Sequence, residues 1–333
     1  MKKTEGVSII ICCFNGALRL PETLNHLASQ VVSSVQWEVI LVNNNSTDNT
    51  VAVAGEIWAK FNCQAPFKTV DEPEQGKSKA LKKGIGISKY DYFIVCDDDN
   101  WLSSNYVQTA FDIMQSNSKI GILGGDSIAE CEVPPPEWFE ENKCDFAVGK
   151  QGEQSGDVTA RWFLWGAGAV LRKELYNYLI NAGMSNFLGG RKGNEDLTPG
   201  EDTEICKWYI LAGYKLWYDN RLVIKHYIPE GRLTESYFKR MWIGFENTDY
   251  WLGRYDILIH IKNEKKSKSK NFFRGMKYLI RNKKNLFVIK NIDLTRSYIQ
   301  FLIGPYIRIS TWEEFRLIKI MYPFLYKNLS ADF

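Results

Sequence analysis

Three consecutive aspartates, Asp97-Asp98-Asp99, close the apolar run Tyr92-Phe93-Ile94-Val95-Cys96. A short run of aromatic and β-branched residues reads as a buried strand. Carboxylates at its tip are costly to desolvate unless a counter-charge meets them. The cheapest one expected is a divalent cation. Hard oxygen ligands at a strand end suit Mg²⁺ or Mn²⁺ held partly by substrate phosphates. A solvated acidic turn is the plain alternative. Three other apolar runs also end in polar clusters: Phe14-Asn15, Asn43-Asn44-Asn45 and Asp71-Glu72.

These clusters need elements to position them. Strands are predicted at Val7–Cys13, Trp37–Val42, Phe67–Val70 and Tyr92–Cys96. Between them, Leu18–Ser29, Thr50–Phe61 and Lys77–Ser88 carry apolar residues at helical spacing, with Ser46 or Asp48 available to cap the second. The alternation implies an α/β fold with a mostly parallel central sheet flanked by helices. Ligands of such sheets bind at the carboxyl ends of strands, and all four polar clusters fall there. Further on, Cys131–Asp157 is expected to be a loop with short elements. Glu201–Leu211 reads as a helix, and Tyr214–Tyr218 and Leu222–Ile224 read as strands.

The 333 residues, 45% hydrophobic and 14% aromatic, describe a packed protein, not a disordered one. The net charge of +3 conceals an asymmetry. Residues 262–290 carry +10, so the remainder carries −7. The division expected is a catalytic domain over 1–255 and a basic, aromatic-rich, helical C-terminal extension over 256–333. Seven scattered cysteines, with no CxxC pattern and an odd count, fit a reduced, cytoplasmic setting. The run after Met1-Lys2-Lys3 ends in Asn15-Gly16 and reads as a first strand, not a leader. No run of about 18 apolar residues suggests a membrane-spanning helix.

Two common phosphate binders are set aside. Gly76-Lys77-Ser78 resembles a P-loop tail, but Asp71 stands where its first glycine belongs. Only Gly16 follows the first strand, so a dinucleotide-binding turn is missing too.

The ordered motifs resemble the family 2 glycosyltransferases of GT-A fold, from about Val7 to Gly244. The resemblance is carried by Val7–Asn15, by Glu38–Asp48, by Gly76-Lys77-Ser78-Lys79-Ala80-Leu81, by Asp97-Asp98-Asp99, by Trp165-Gly166-Ala167-Gly168, by Gly200-Glu201-Asp202-Thr203-Glu204 and by His226. It implies an inverting transferase using a nucleotide sugar and Mn²⁺ or Mg²⁺. Its donor contacts would be Phe14, Asn15, Asn43, Asn45, Gly76, Lys77, Asp97, Asp98, Trp165 and Gly166. Asp99, Asp97 and His226 would hold the metal. Where the family commonly has Asp-Asp, this chain has Asn43-Asn44. An Asn amide oxygen can still accept from a uracil N–H, so a UDP-linked donor is expected.

Asp202 is the candidate base, preferred over Glu201; both begin a helix whose dipole favours the ionised form. A base facing the leaving group implies single displacement with inversion. Trp138, Trp162 and Trp165 are candidate sugar-stacking faces. Lys225 and Arg232 could contact phosphates, but read in the first place as solvated cations. The basic segment suits an anionic membrane surface, on the inner face of the cell membrane, in preference to nucleic acid, with a solvated linker as the plain alternative. The acceptor expected is a glycan or lipid-linked glycan in surface polysaccharide biosynthesis. Processive relatives carry Gln-x-x-Arg-Trp; here Arg240-Met241-Trp242 lacks that pattern, so one sugar per reaction is expected. The rival readings are a catalytically silent assembly protein of the same fold and a sugar nucleotidyltransferase.

Overall fold

The computed structural model describes residues 4–61, 63–184, 188, 199–263 and 320. The first half alternates as expected: β1 (Val7–Cys13), α1 (Leu20–Ala28), β2 (Trp37–Asn43), α2 (Thr50–Trp58), β3 (Phe67–Asp71), α3 (Lys77–Ile87) and β4 (Tyr92–Asp97). Each strand after the first runs one residue further than the apolar pattern suggests, into its polar cluster. The second half continues with β5 (Asn100–Leu102), α4 (Tyr106–Ser116), β6 (Ile120–Cys131), α5 (Trp138–Asn142), β7 (Gly156–Asp157), β8 (Val170–Arg172), α6 (Lys173–Asn181), α7 (Glu201–Leu211), β9 (Lys215–Ile228) and α8 (Glu235–Asn263).

Among the described residues one sheet has the order β3-β2-β1-β4-β8-β6-β9-β5, with β7 on β9. β1 to β4 are mutually parallel. β8 enters antiparallel between β4 and β6. The strands expected at Tyr214–Tyr218 and Leu222–Ile224 are a single strand, β9, because β6 pairs along both stretches across an irregularity near Gly124 and Asp126.

Alternation along β1 explains the two-sided core. Ile10 packs with Ile40, Val42 and Val95 on one face. Val7, Ile9, Ile11 and Cys13 pack with Val39, Leu41 and Ile94 on the other. Helix α1 starts with proline in its first turn and buries Leu20, Leu24 and Leu27 against the second face. Helix α3 buries Ala80, Leu81 and Ile85 against the first.

Helix α8 runs unbroken through residue 255, where composition places the domain boundary. The basic segment beyond residue 263 and most of the loop 181–197 lie outside the described residues. No helix among the described residues is long and apolar enough to cross a membrane.

Candidate active site

Parallel register brings the predicted clusters together. Cys13 pairs with Asn43, Asn43 with Asp71, and Cys12 with Asp97, so four strand ends finish side by side. Beyond β4 the chain turns at once into β5, and Asp98 and Asp99 occupy the turn. Fully buried Asn100 clamps it. Its Oδ1 accepts the Asp97 N–H at 3.2 Å, and its Nδ2 donates to Asp99 Oδ1 at 3.0 Å. Thr23 Oγ1 donates to the Asp98 carbonyl at 2.8 Å. β5 pairs antiparallel with β9, which sets His226 opposite Asn100. His226 Nε2 thereby lies 3.7 Å from Asp99 Oδ1, while its Nδ1 is buried without a hydrogen-bond partner.

Each aspartate already has a protein cation. Lys77 Nζ sits 2.8 and 2.9 Å from the two oxygens of Asp97. Arg19 grips Asp98 with both Nε and Nη2, at 3.2 and 2.7 Å. Arg232 Nη1 meets Asp99 Oδ2 at 2.9 Å. Arg232 is therefore an ion-pair partner, not a solvated cation, whereas Lys225 is half exposed and pairs with Glu130 at 3.0 Å. Burial alone would raise the Asp99 carboxyl. Arg232, His226 and Arg19 outweigh it and hold Asp99 well below the usual carboxylate range. Burial and the adjacent Asp99 charge raise Asp98, which Arg19 only partly offsets. Burial works against the charge on Lys77, but Asp97 and Glu201 raise it further than burial lowers it.

Asp202 approaches from another direction. Gly200, at φ +102°, turns the chain into α7, and Asp202 stands in its first turn. Its Oδ2 accepts the Gly166 N–H at 2.8 Å. A Cβ on Gly166 would lie 3.1 Å from the Asp202 Cβ, so the close approach uses the missing side chain. Buried Gln151 fixes this loop. It accepts the Trp165 N–H at 2.7 Å and donates to the Gly125 carbonyl at 3.0 Å.

The triplet, Lys77, Glu201, Asp202 and His226 line one cleft of about 260 Å³. Phe14 and Gly166 line it too, and Asn44 is the member of the asparagine run that does. Asn44 also holds the β3–α3 loop: its Oδ1 accepts the Gly76 N–H at 2.8 Å, and its Nδ2 donates to the Glu72 and Glu74 carbonyls. Gly76 and the other two asparagines are not among the lining residues. Asn43 donates to Asp71 at 2.9 Å. Asn15 and Asn45 take left-handed backbone conformations, φ +50° and +61°, which asparagine tolerates best among residues with a Cβ. The Trp165 ring is buried beneath Arg161, which stacks over it at 5.4 Å. Trp162 packs under Lys207, and Trp138 is stacked on Phe238 at 4.8 Å between ring centres.

The model for glycosyl transferase family 2 matches residues 8–180, about half of the chain. The protein belongs to that family. Its fold is GT-A. This family 2 chain is 29% identical to poly-beta-1,6-N-acetyl-D-glucosamine synthase of Staphylococcus epidermidis over 126 residues, 38% of this chain and 29% of the synthase. The match thus spans under a third of that relative's length. S. aureus TarS (residues 1–349), in complex with UDP-GlcNAc, superposes with a TM-score of 0.52 at 14% identity, covering 89% of this chain and 78% of that one. GalNAc-T7 with UDP, GalNAc and Mn²⁺ gives 0.52 at 14%, covering 79% and 51%.

Sequence reasoning missed Arg19, Asn100 and Gln151 and undervalued Arg232. Only Arg19 had a local signal, lying five residues past Phe14 at the end of the first strand.

Proposed function

We propose that this protein is a glycosyltransferase that moves a single sugar from a nucleotide sugar, UDP-linked, to a hydroxyl of a glycan or lipid-linked glycan, with inversion and with a divalent cation. The observation that carries the reading is the meeting of the carboxylate triplet and Asp202 in one cleft. The donor class and the cation are taken from TarS, seen with UDP-GlcNAc, and from GalNAc-T7, seen with UDP and Mn²⁺.

The donor chemistry at the triplet fits such a cation. Asp97 and Asp99 offer hard oxygens, and the imidazole of His226, with an orphaned Nδ1, stands beside Asp99. Among the described residues, however, no three His, Cys, Asp or Glu side chains already converge as a metal cage. A cation held there would act as a Lewis acid on the departing diphosphate. Lys77, Arg19 and Arg232 supply further positive charge to the same phosphates. Across the cleft, Asp202 takes the proton of the acceptor hydroxyl. The Gly166 N–H and the start of α7 stabilise its ionised form until then. The hydroxyl oxygen bonds to the anomeric carbon as the bond to the diphosphate oxygen breaks. A base facing the leaving group gives inversion.

Placement at a membrane surface rests on the +10 charge of residues 262–290 alone. Surface polysaccharide assembly follows from the synthase as a relative.

Thermal unfolding with UDP, GDP, CDP and dTDP, each with and without Mn²⁺, tests the reading. The expected result is a rise of several degrees with UDP only when Mn²⁺ is present, lost in Asp99→Ala. A rise with UDP that ignores both Mn²⁺ and Asp99 sinks the metal assignment. A rise with another nucleotide alone sinks the UDP assignment.

A further inference from the structure

The three aspartates and their three cations sum to zero charge. A divalent cation arriving alone meets little net field from them. To bind Asp99 through Oδ2 it must also displace Arg232, whose guanidinium then loses its carboxylate in a mostly buried setting. A nucleoside diphosphate removes that obstacle. Its oxygens offer a guanidinium the paired acceptors that it favours, and Arg232 lines the same cleft.

We propose that Arg232 is a latch on Asp99: it holds the carboxylate closed to metal until a diphosphate draws the guanidinium away, so that metal and nucleotide enter as a coupled pair. The inference rests on the reading of Asp99 as metal ligand and of the cleft as a diphosphate site. Three observations carry it. Arg232 engages Oδ2 of Asp99 and is its one cationic hydrogen-bond donor among the described residues, while Oδ1 accepts from Asn100 Nδ2 at 3.0 Å and faces His226 at 3.7 Å, beyond hydrogen-bond distance. The Asp99 side chain is 4% exposed and that of Arg232 is 26% exposed, so the arginine is the partner with a way out. Arg232 ends the short turn Glu230–Arg232, so its side chain can leave without moving the sheet that carries Asp99. The coupling is reciprocal: whatever factor the nucleotide adds to metal affinity, the metal adds to nucleotide affinity.

The test is a Mn²⁺ titration of the full chain, with free Mn²⁺ read by its electron paramagnetic resonance signal, with and without UDP. The wild type is expected to bind Mn²⁺ at least about tenfold more tightly with UDP. Arg232→Gln should bind Mn²⁺ alone about tenfold more tightly than the wild type does, and UDP should then add much less. Arg232→Lys keeps the charge and should stay near the wild type. Arg19→Gln removes the same charge from neighbouring Asp98; a gain equal to that of Arg232→Gln would reduce the effect to general field and overturn the latch. So would Arg232→Gln binding Mn²⁺ alone no more tightly than the wild type. If Arg232→Gln does not fold, the wild type decides: equal Mn²⁺ affinity with and without UDP overturns the proposal. Asp99→Asn separates this from the underlying reading. If that variant binds Mn²⁺ with UDP as the wild type does, the metal site itself has been misplaced.

Discussion

One sheet carries buried carboxylates at both ends, and the two ends treat them differently. At the amino end, Glu38 opens β2 and is 1% exposed. Ser8 Oγ, directly across the β1–β2 register, donates to it at 2.9 Å, the Lys89 N–H at 2.6 Å, and Lys68 Nζ at 2.7 Å. Two of those three donors are short groups fixed by the fold. At the carboxyl end every member of the triplet has a long cationic partner, from positions 20, 79 and 133 residues away, beside the short donors Asn100 on Asp99 and Cys13 on Asp98. Partners fixed by the backbone suit a group whose task is to stay. Flexible charged partners suit a group that must exchange them for a ligand. Burial and charge alone do not mark a functional carboxylate; the exchangeability of its partners does.

The comparison can be broken by separating activity from stability. The largest effect is expected at Asp202. Asp202→Asn should retain nucleotide binding and thermal stability while turnover falls by about 10²–10⁴-fold, the usual worth of a general base. Preserved turnover would remove Asp202 from the chemistry. A smaller loss, of about 10²-fold in kcat, is expected for Gly166→Ala, because its Cβ pushes on Asp202 and shifts the base. Unchanged kcat would mean that the loop absorbs the methyl group without moving Asp202.

Glu38→Gln should do the reverse. It should cost about 1–3 kcal/mol of stability in urea unfolding and leave the activity of the folded fraction intact. Its pH dependence sharpens the contrast. Burial would raise the Glu38 carboxyl, but Lys68, the Lys89 N–H and Ser8 lower it below its ordinary value. The folded state therefore favours the ionised form, and the stabilisation is present above the unfolded value of about 4.5. It is lost as the pH falls through the lower folded value. The wild-type advantage over Glu38→Gln should be full near neutrality and shrink in acid; an advantage that grows in acid would refute the assignment.

Much of the first half was legible because its signals are local. Apolar runs of strand length, helical spacing between them and polar residues after each run define β1 to β4 without any tertiary contact. The triplet was legible as a site for the same reason, since carboxylates at the end of a buried strand demand partners. The second half was harder. β8 has three residues, too few for a pattern, and β9 reads as two strands because Asp219 and Asn220 interrupt its apolar run. Only pairing with β6 makes it one.

The sequence by itself determined the α/β alternation, the edge of the sheet where chemistry collects, and the carboxylates that gather there. Tertiary structure decided which cation each carboxylate faces, that Asn44 faces the cleft while Asn43 turns to Asp71 and the Ser46 N–H, and that the Gly166 N–H holds Asp202. The physical reason is range. Hydrophobic periodicity and the cost of a buried charge are properties of neighbours along the chain, whereas the partner that relieves the charge is chosen by a fold that brings Arg232 to Asp99 across 133 residues.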